Sequence, residues 1–239
     1  MMNRHSFDPL WEEKYSLGHA QRYPWDTVVS FVFRFSPRDK PRQETRILEV
    51  GCGTGANLWF AAREGFRVAG IDASPSAIAY GRKRFEAEGI QGDLREGDFT
   101  QLPFEKDTFD LVIDRESLTC CGFSAAQTAI TEIRRVMRRG GKFLFNPYSD
   151  RHSSYLSGRL EADGLVVDIS EGTLVGAGQI CFYGRRHLAS LLDRGWKILS
   201  IEHFERAQML VPQYTIHAEW RVIAEKVEEE ESAEIGRRT

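Results

Sequence analysis

What is scarce in this sequence excludes more than what is abundant. No run among its 239 residues approaches the roughly 20 apolar residues of a membrane span. The opening "MMNRHSFDPLWEEKYSLGHAQRYPW" has no apolar core that could serve as a signal peptide, so a cytoplasmic chain is expected. There are only four cysteines, Cys52, Cys120, Cys121 and Cys181, and none falls in a C-x-x-C pair. Neither a zinc site nor a disulfide framework is therefore indicated; reduced thiols and no metal are expected. Basic excess is missing too. Lys and Arg number 32 against 35 Asp and Glu, a net charge of -3, which does not make a polyanion the default partner. No internal repeat or interdomain linker is visible.

What is present is alternation. Apolar runs interleave with helical patterns in the manner of βαβ units, which build a parallel sheet covered on both faces. "RILEV" (46–50) reads as a first strand, followed by a helix over about 56–63 and a second strand, "FRVAGID" (66–72). "SPSAIAYGRKRFEAEG" (74–89) then begins a helix, with Ser74 as cap, Pro75 in its first position and Gly89 as the stop. Strands follow at 93–98, 108–117 and 142–148, with an amphipathic helix over 124–141 before the last of them. The alternation lapses over 149–183, and a lapse of that length is usually functional or has structure of its own. Helix and strand resume over 184–204, and a last strand is expected over 215–227, so seven strands fit. The length suits one α/β domain over 1–227, and the charge run 228–239 reads as a frayed tail.

The chemistry concentrates in "RILEVGCGTGANLWFAAREGFRVAGIDAS" (46–74). Gly51, Gly53 and Ala56 satisfy G-x-G-x-x-G/A, which turns the chain sharply out of a strand and brings bare backbone against a ligand. A dinucleotide site aims the following helix N-terminus at a pyrophosphate and gains nothing from a carboxylate two residues earlier. Glu49 stands there, and a cationic ligand would gain from it.

The pattern Glu49-x-Gly51-x-Gly53-x-Gly55 resembles the first motif of class I S-adenosylmethionine-dependent methyltransferases. Asp72, ending the second strand, matches the position that holds an adenosine ribose. Asp98 in "EGDFTQLPF" is similar to the position that accepts from the adenine amino group, with Phe99 following. "FDLVIDRES", ending its strand on Asp114, and "RRVMRRGGKFLF" look like the family's fourth strand and its helix, glycine turn and fifth strand. The resemblance covers 46–148. It implies a Rossmann-like doubly wound sheet, mostly parallel, with one antiparallel strand near the C-terminus. It also implies S-adenosyl-L-methionine as cofactor, bound by Glu49, Gly51, Cys52, Gly53, Asp72, Ala73, Asp98, Phe99 and Asp114. "WEEKYSLGHAQRYPWDTVVSFV" (11–32), within an N-terminal cap spanning 1–45, looks like the leading helix and aromatic turn of small-molecule members. There Trp11, Tyr15 and Trp25 would close over the methionine end, with Arg22 on its carboxylate and Tyr23 toward the acceptor.

Structural readings stand beside these: Asp72 as a neighbour of the Ser74 cap, Asp98 as a turn residue, Asp114 as a cap on local backbone, and Trp11 with Tyr15 as core packing. Methyl transfer needs mainly positioning, and a base serves a hydroxyl acceptor. Glu116 and Tyr148, just past the fourth and fifth strands, are the candidate catalytic residues, with Asp150 and His152 as further candidates. The expected activity is methyl transfer to an O, N or S atom of a small molecule, with 149–183 as the acceptor-side insert. Alternatives are an RNA or protein methyltransferase using "RRVMRR" (134–139) and "RRH" (185–187) against phosphate, a nicotinamide-dependent oxidoreductase, and a non-catalytic binding module. The asparagine-proline-aromatic signature of amino-methylating nucleic-acid enzymes is missing after Asp114, and "NPY" (146–148) follows a different strand.

Overall fold

The computed structural model describes residues 6–210 and 214–228. Two short helices, α1 (Leu10–Ser16) and α2 (Asp26–Phe35), lead into an alternating series: β1 (Arg46–Val50), α3 (Ala56–Arg63), β2 (Arg67–Asp72), α4 (Pro75–Ala87) and β3 (Asp93–Glu96). β4 (Phe109–Arg115), α5 (Phe123–Val136) and β5 (Met137–Asn146) complete the parallel part. The lapse in alternation contains β6 (Arg159–Leu160), β7 (Leu165–Val167) and β8 (Ile180–Cys181), and α6 (Arg185–Leu191), β9 (Trp196–Gln208) and β10 (Thr215–Lys226) close the chain.

The main sheet has seven strands in the order β3-β2-β1-β4-β5-β10-β9. β1 to β5 pair in parallel, and β10 alone runs against them, antiparallel to both β5 and β9. β1 and β4 lie at its centre and are buried along nearly their whole length, because a parallel sheet is covered on both sides. One cover packs α5 and α6 onto Val50, Val112, Phe143 and Phe145, while α2, α3 and α4 pack onto Ile47, Leu111, Ile113 and Leu144. The reversal of strand order between β1 and β4 makes the crevice at which such sheets bind ligands.

Several boundaries move. The helix expected to run through 141 ends at Val136, and the chain is extended from Met137 because that residue already pairs with Phe109 of β4. β3 stops at Glu96, so Asp98 lies in the loop after it. The lapse is filled by a three-stranded sheet, β6-β7-β8, with its own apolar cluster of Tyr148, Val166, Ile169, Leu174, Ile180 and Phe182. Strands of two or three residues lie below the length at which alternation can be read. From residue 229 onward the expected tail lies outside the described residues. No described helix is long and apolar enough to cross a membrane.

Candidate functional site

The cleft is built where β1 ends. Gly51 and Gly53 take φ of +61° and +51°, which bends the loop back over the strand tips. A Cβ at Gly51 would overlap Ser117, and one at Gly53 would lie 2.5 Å from the Tyr15 hydroxyl, so both glycines are also required by close approach. Asp72 holds this loop from the end of β2: its Oδ2 accepts from the Gly53 N–H at 2.7 Å and its Oδ1 from the Ser74 N–H at 2.9 Å. Burial raises its pKa, and the two N–H donors oppose that. The cap-neighbour reading and the ligand-facing reading of Asp72 therefore coexist, since it also lines the cleft.

Glu49 lies at the floor and is 3 % exposed. Its Oε1 accepts from Asn57 Nδ2 at 2.6 Å, while Oε2 is buried with no hydrogen-bond partner. Burial pushes its pKa up to about 8, against the Asn57 hydrogen bond. A buried, unpartnered carboxylate oxygen at the floor of a cleft is what an ammonium group would satisfy. Asn57 also accepts from the Trp25 N–H at 3.0 Å, joining floor to roof. Sequence reading missed it; the available signal was a polar residue in the first turn of a helix whose neighbours are apolar.

The roof is α1. Glu12 accepts from Ser74 Oγ at 2.5 Å and Ser76 Oγ at 2.6 Å, which fixes α1 across the N-terminus of α4. Lys14 donates to the Gly176 carbonyl at 2.6 Å and so ties α1 to the insert. Trp11, Tyr15 and Trp25 line the cleft, as do Gly51, Cys52, Gly53, Ala73 and Phe99. Arg22 and Tyr23 do not. Tyr23 is 71 % exposed, and Arg22 is exposed with its carbonyl accepting from Arg84 at 2.6 Å. The reason is the path of the chain: the Gln21 carbonyl is held by Thr54 Oγ1 at 2.8 Å, so Gln21 faces inward and the next two side chains face solvent.

Two acidic candidates are likewise turned away. Asp98 Oδ1 accepts from the Thr100 N–H and hydroxyl at 2.8 and 2.7 Å and Oδ2 from Ser6 at 2.7 Å, so its carboxylate is used within its own turn and by the N-terminal segment. Asp114 Oδ1 accepts from Ser117 N, Ser117 Oγ and Leu118 N at 2.6–3.0 Å, shaping the turn after β4. Neither lines the cleft; the local reading accounts for Oδ1 of each, while Asp98 Oδ2 is held by Ser6, which does line it, and Asp114 Oδ2 is buried without a partner.

At the far end Glu116 and Tyr148 meet, and Tyr148 Oη donates to Glu116 Oε2 at 2.7 Å. Burial raises the tyrosine's pKa. Glu116 has φ +63°, a strained setting for a residue with a side chain, and it brings the carboxyl onto the cleft wall. Arg115 forms an ion pair with Glu116 Oε1, reaches Glu219 Oε2 at 3.5 Å, and lies 4.3 Å from the Trp25 ring centroid. Glu219 is buried on β10 and paired with Arg221 at 2.8 Å. Burial alone would raise its pKa, but His217, Arg115 and Arg221 hold it near 2. Glu116, His217 and Glu219 offer ligand atoms within 4.8 Å of one another, yet the Arg115 guanidinium pairs with both carboxylates. A cation is thus already built into that cluster.

His152 sits behind this wall, with Nε2 3.0 Å from Thr173 Oγ1 and 3.3 Å from His217 Nδ1; burial and the second ring lower its pKa to about 4. It does not line the cleft, and Asp150 is exposed beyond it. Cys120 does line the cleft, but burial pushes its thiol up to about 12, unsuited to a nucleophile, and Cys121 is in the core. The arginines of 134–139 are largely spent inside the molecule: Arg135 on Glu132 and two carbonyls, Arg138 on Asp110, Arg134 on the carbonyls of Gly195 and Val227.

The cleft encloses about 440 Å³, within the range of small-molecule sites. Residues 47–141 match the family model for a methyltransferase domain. A fatty-acid O-methyltransferase of Mycolicibacterium smegmatis is 36% identical over 110 residues, 45% of this chain and 38% of that protein. An uncharacterized protein of Haemophilus influenzae is 32% identical over 43% of this chain and 42% of that protein, so the chain spans about two fifths of the length of these curated relatives. A solved S-adenosylmethionine-dependent methyltransferase of Methanosarcina mazei superposes with a TM-score of 0.66 at 19% identity, covering 80% of this chain and 96% of that one.

Proposed function

We propose, from the premise that this chain carries a class I methyltransferase domain, that it uses S-adenosylmethionine to methylate a small molecule bound beside Glu116 and Tyr148. The observation that carries the cofactor is Glu49, whose buried Oε2 has no partner at the floor of a glycine-loop cleft. Glu49 and Asn57 would hold the cationic amino-acid end, Asp72 would accept from the ribose, and Phe99 would lie against the adenine. The bound cofactor supplies a methyl group already activated by its sulfonium.

The chain's own task is then to position the acceptor and to exclude water. Trp11 and Tyr15 from α1 and Leu174 and Ala177 from the insert line the cleft opposite its floor, which supports a small acceptor. Tyr148 fixes Glu116 by its hydrogen bond, so that Glu116 can take the proton from an acceptor hydroxyl or amine. The name of the fatty-acid O-methyltransferase that the chain resembles supports an oxygen acceptor.

Calorimetry with S-adenosylhomocysteine and with NAD tests the cofactor; binding of the first alone is expected, and binding of NAD alone would overturn the reading. Incubation with methyl-labelled cofactor and a metabolite extract, followed by mass analysis, then identifies acceptor and atom together.

A further inference from the structure

Among the described residues β9 is the free edge of the main sheet; it runs for 13 residues, of which only Trp196 is buried. Ile198, Ile201 and Phe204 are 43%, 41% and 39% exposed. An edge strand presents a row of unpaired N–H and C=O groups, and natural proteins blunt such rows with shortness, proline, charged side chains or bulges; here the charges, Glu202, Glu205 and Arg206, are of both signs. Here the one irregularity falls at Leu199. Ser200–Gln208 beyond it pairs residue for residue with β10 and contains neither proline nor lysine.

That regular stretch, "SIEHFERAQ", is complementary to itself. Laid antiparallel on a second copy about Phe204, it sets Glu202 opposite Arg206, His203 opposite Glu205, Ile201 opposite Ala207 and Ser200 opposite Gln208, with the two Phe204 rings on the axis. Opposed pairs of this kind are the unit of sheet stabilisation. Neighbouring registers lose this. An axis on His203 sets Ile201 against Glu205, one on Glu205 sets two glutamates against each other, and one between His203 and Phe204 sets Glu202 against Glu205. Glu202 and Arg206 are both exposed, and neither has an ion-pair partner among the described residues. The pattern therefore supplies both the charge complementarity and the single register that a two-fold interface needs.

We propose that two copies of this chain associate by antiparallel pairing of Ser200–Gln208 about a two-fold axis at Phe204, joining two seven-stranded sheets edge to edge. The pairing is independent of cofactor and acceptor.

Sedimentation of the full chain over a micromolar range tests it, with a rise from 27.3 kDa toward twice that mass expected. Glu202→Arg sets arginine against Arg206, and Arg206→Glu sets glutamate against Glu202; each alone is expected to weaken association about tenfold or more. The two together restore opposite charges and should restore the dimer. A wild-type chain that stays monomeric, a single reversal that leaves the dimer unchanged, or a double reversal that fails to recover it overturns the proposal. If a reversal does not fold, Phe204→Cys decides instead: oxidation should give a symmetric disulfide dimer, and a chain that remains monomeric overturns the pairing.

Discussion

The floor of the cleft and its acceptor end are held together over very different distances along the chain. At the floor, Asn57 reaches Glu49 across 8 residues and Asp72 reaches Gly53 across 19. At the acceptor end, Tyr148 reaches Glu116 across 32, His152 reaches His217 across 65, and Arg115 reaches Glu219 across 104. The first kind of contact is assembled by one βαβ unit. The second needs β4, β5, the insert and β10 all in place, so the acceptor end depends on the packing of the whole sheet while the floor depends mainly on its own loop.

The comparison breaks most severely at Arg115. Replacing it with alanine leaves Glu116 and buried Glu219 without their shared cation, and a loss of about 3 kcal/mol in unfolding free energy is expected by denaturant titration. Equal stability would mean that this cluster does not hold the acceptor end together. Glu116→Gln comes next. Methyl transfer should fall about 100-fold while the cofactor dissociation constant stays within about twofold, because the change lies on the acceptor wall. A matching loss of cofactor affinity would erase the distinction between the two regions.

Asp72→Ala acts on the other side, weakening cofactor binding by about 2 kcal/mol in calorimetry, because it removes the carboxylate that both holds the glycine loop and faces the ligand. An unchanged dissociation constant would reduce Asp72 to a loop support. The same floor also carries a pH dependence. Glu49 has a pKa near 8 in the fold against an ordinary 4.5, so between those values the folded chain holds a proton that the unfolded chain has lost. Stability contributed by Glu49 is thus complete below about 4.5 and declines as pH rises toward 8. Binding of a cation should release that proton at neutral pH, seen as a buffer-dependent heat in calorimetry. Glu49→Gln should abolish both dependences.

Legibility followed the same division. The glycine turn and the places of Glu49 and Asp72 on the cleft could be read because those positions are set by neighbours within one supersecondary unit, where periodicity and turn chemistry suffice. Glu116 and Tyr148 were legible as positions at strand ends, and the sheet order then brought them to 2.7 Å. Arg115, His217 and Glu219 were not legible, since nothing near any of them in sequence announces the others. Arg22, Tyr23, Asp98 and Asp114 carried the right chemistry at plausible positions, but Thr54 holds the Gln21 carbonyl ahead of the first two, and Thr100, Ser6 and Ser117 engage the carboxylates of the others.

By itself, then, the sequence determined the alternation of elements, the parallel sheet and the glycine-turn floor, because hydrophobic period and backbone permissiveness are local properties of the chain. Only the tertiary structure decided which polar side chains share the cleft, how the insert folds into its own small sheet, and that Arg115 stands between two carboxylates. Those outcomes depend on which elements become neighbours and on which buried polar group finds a partner, and that is fixed only when the whole sheet closes.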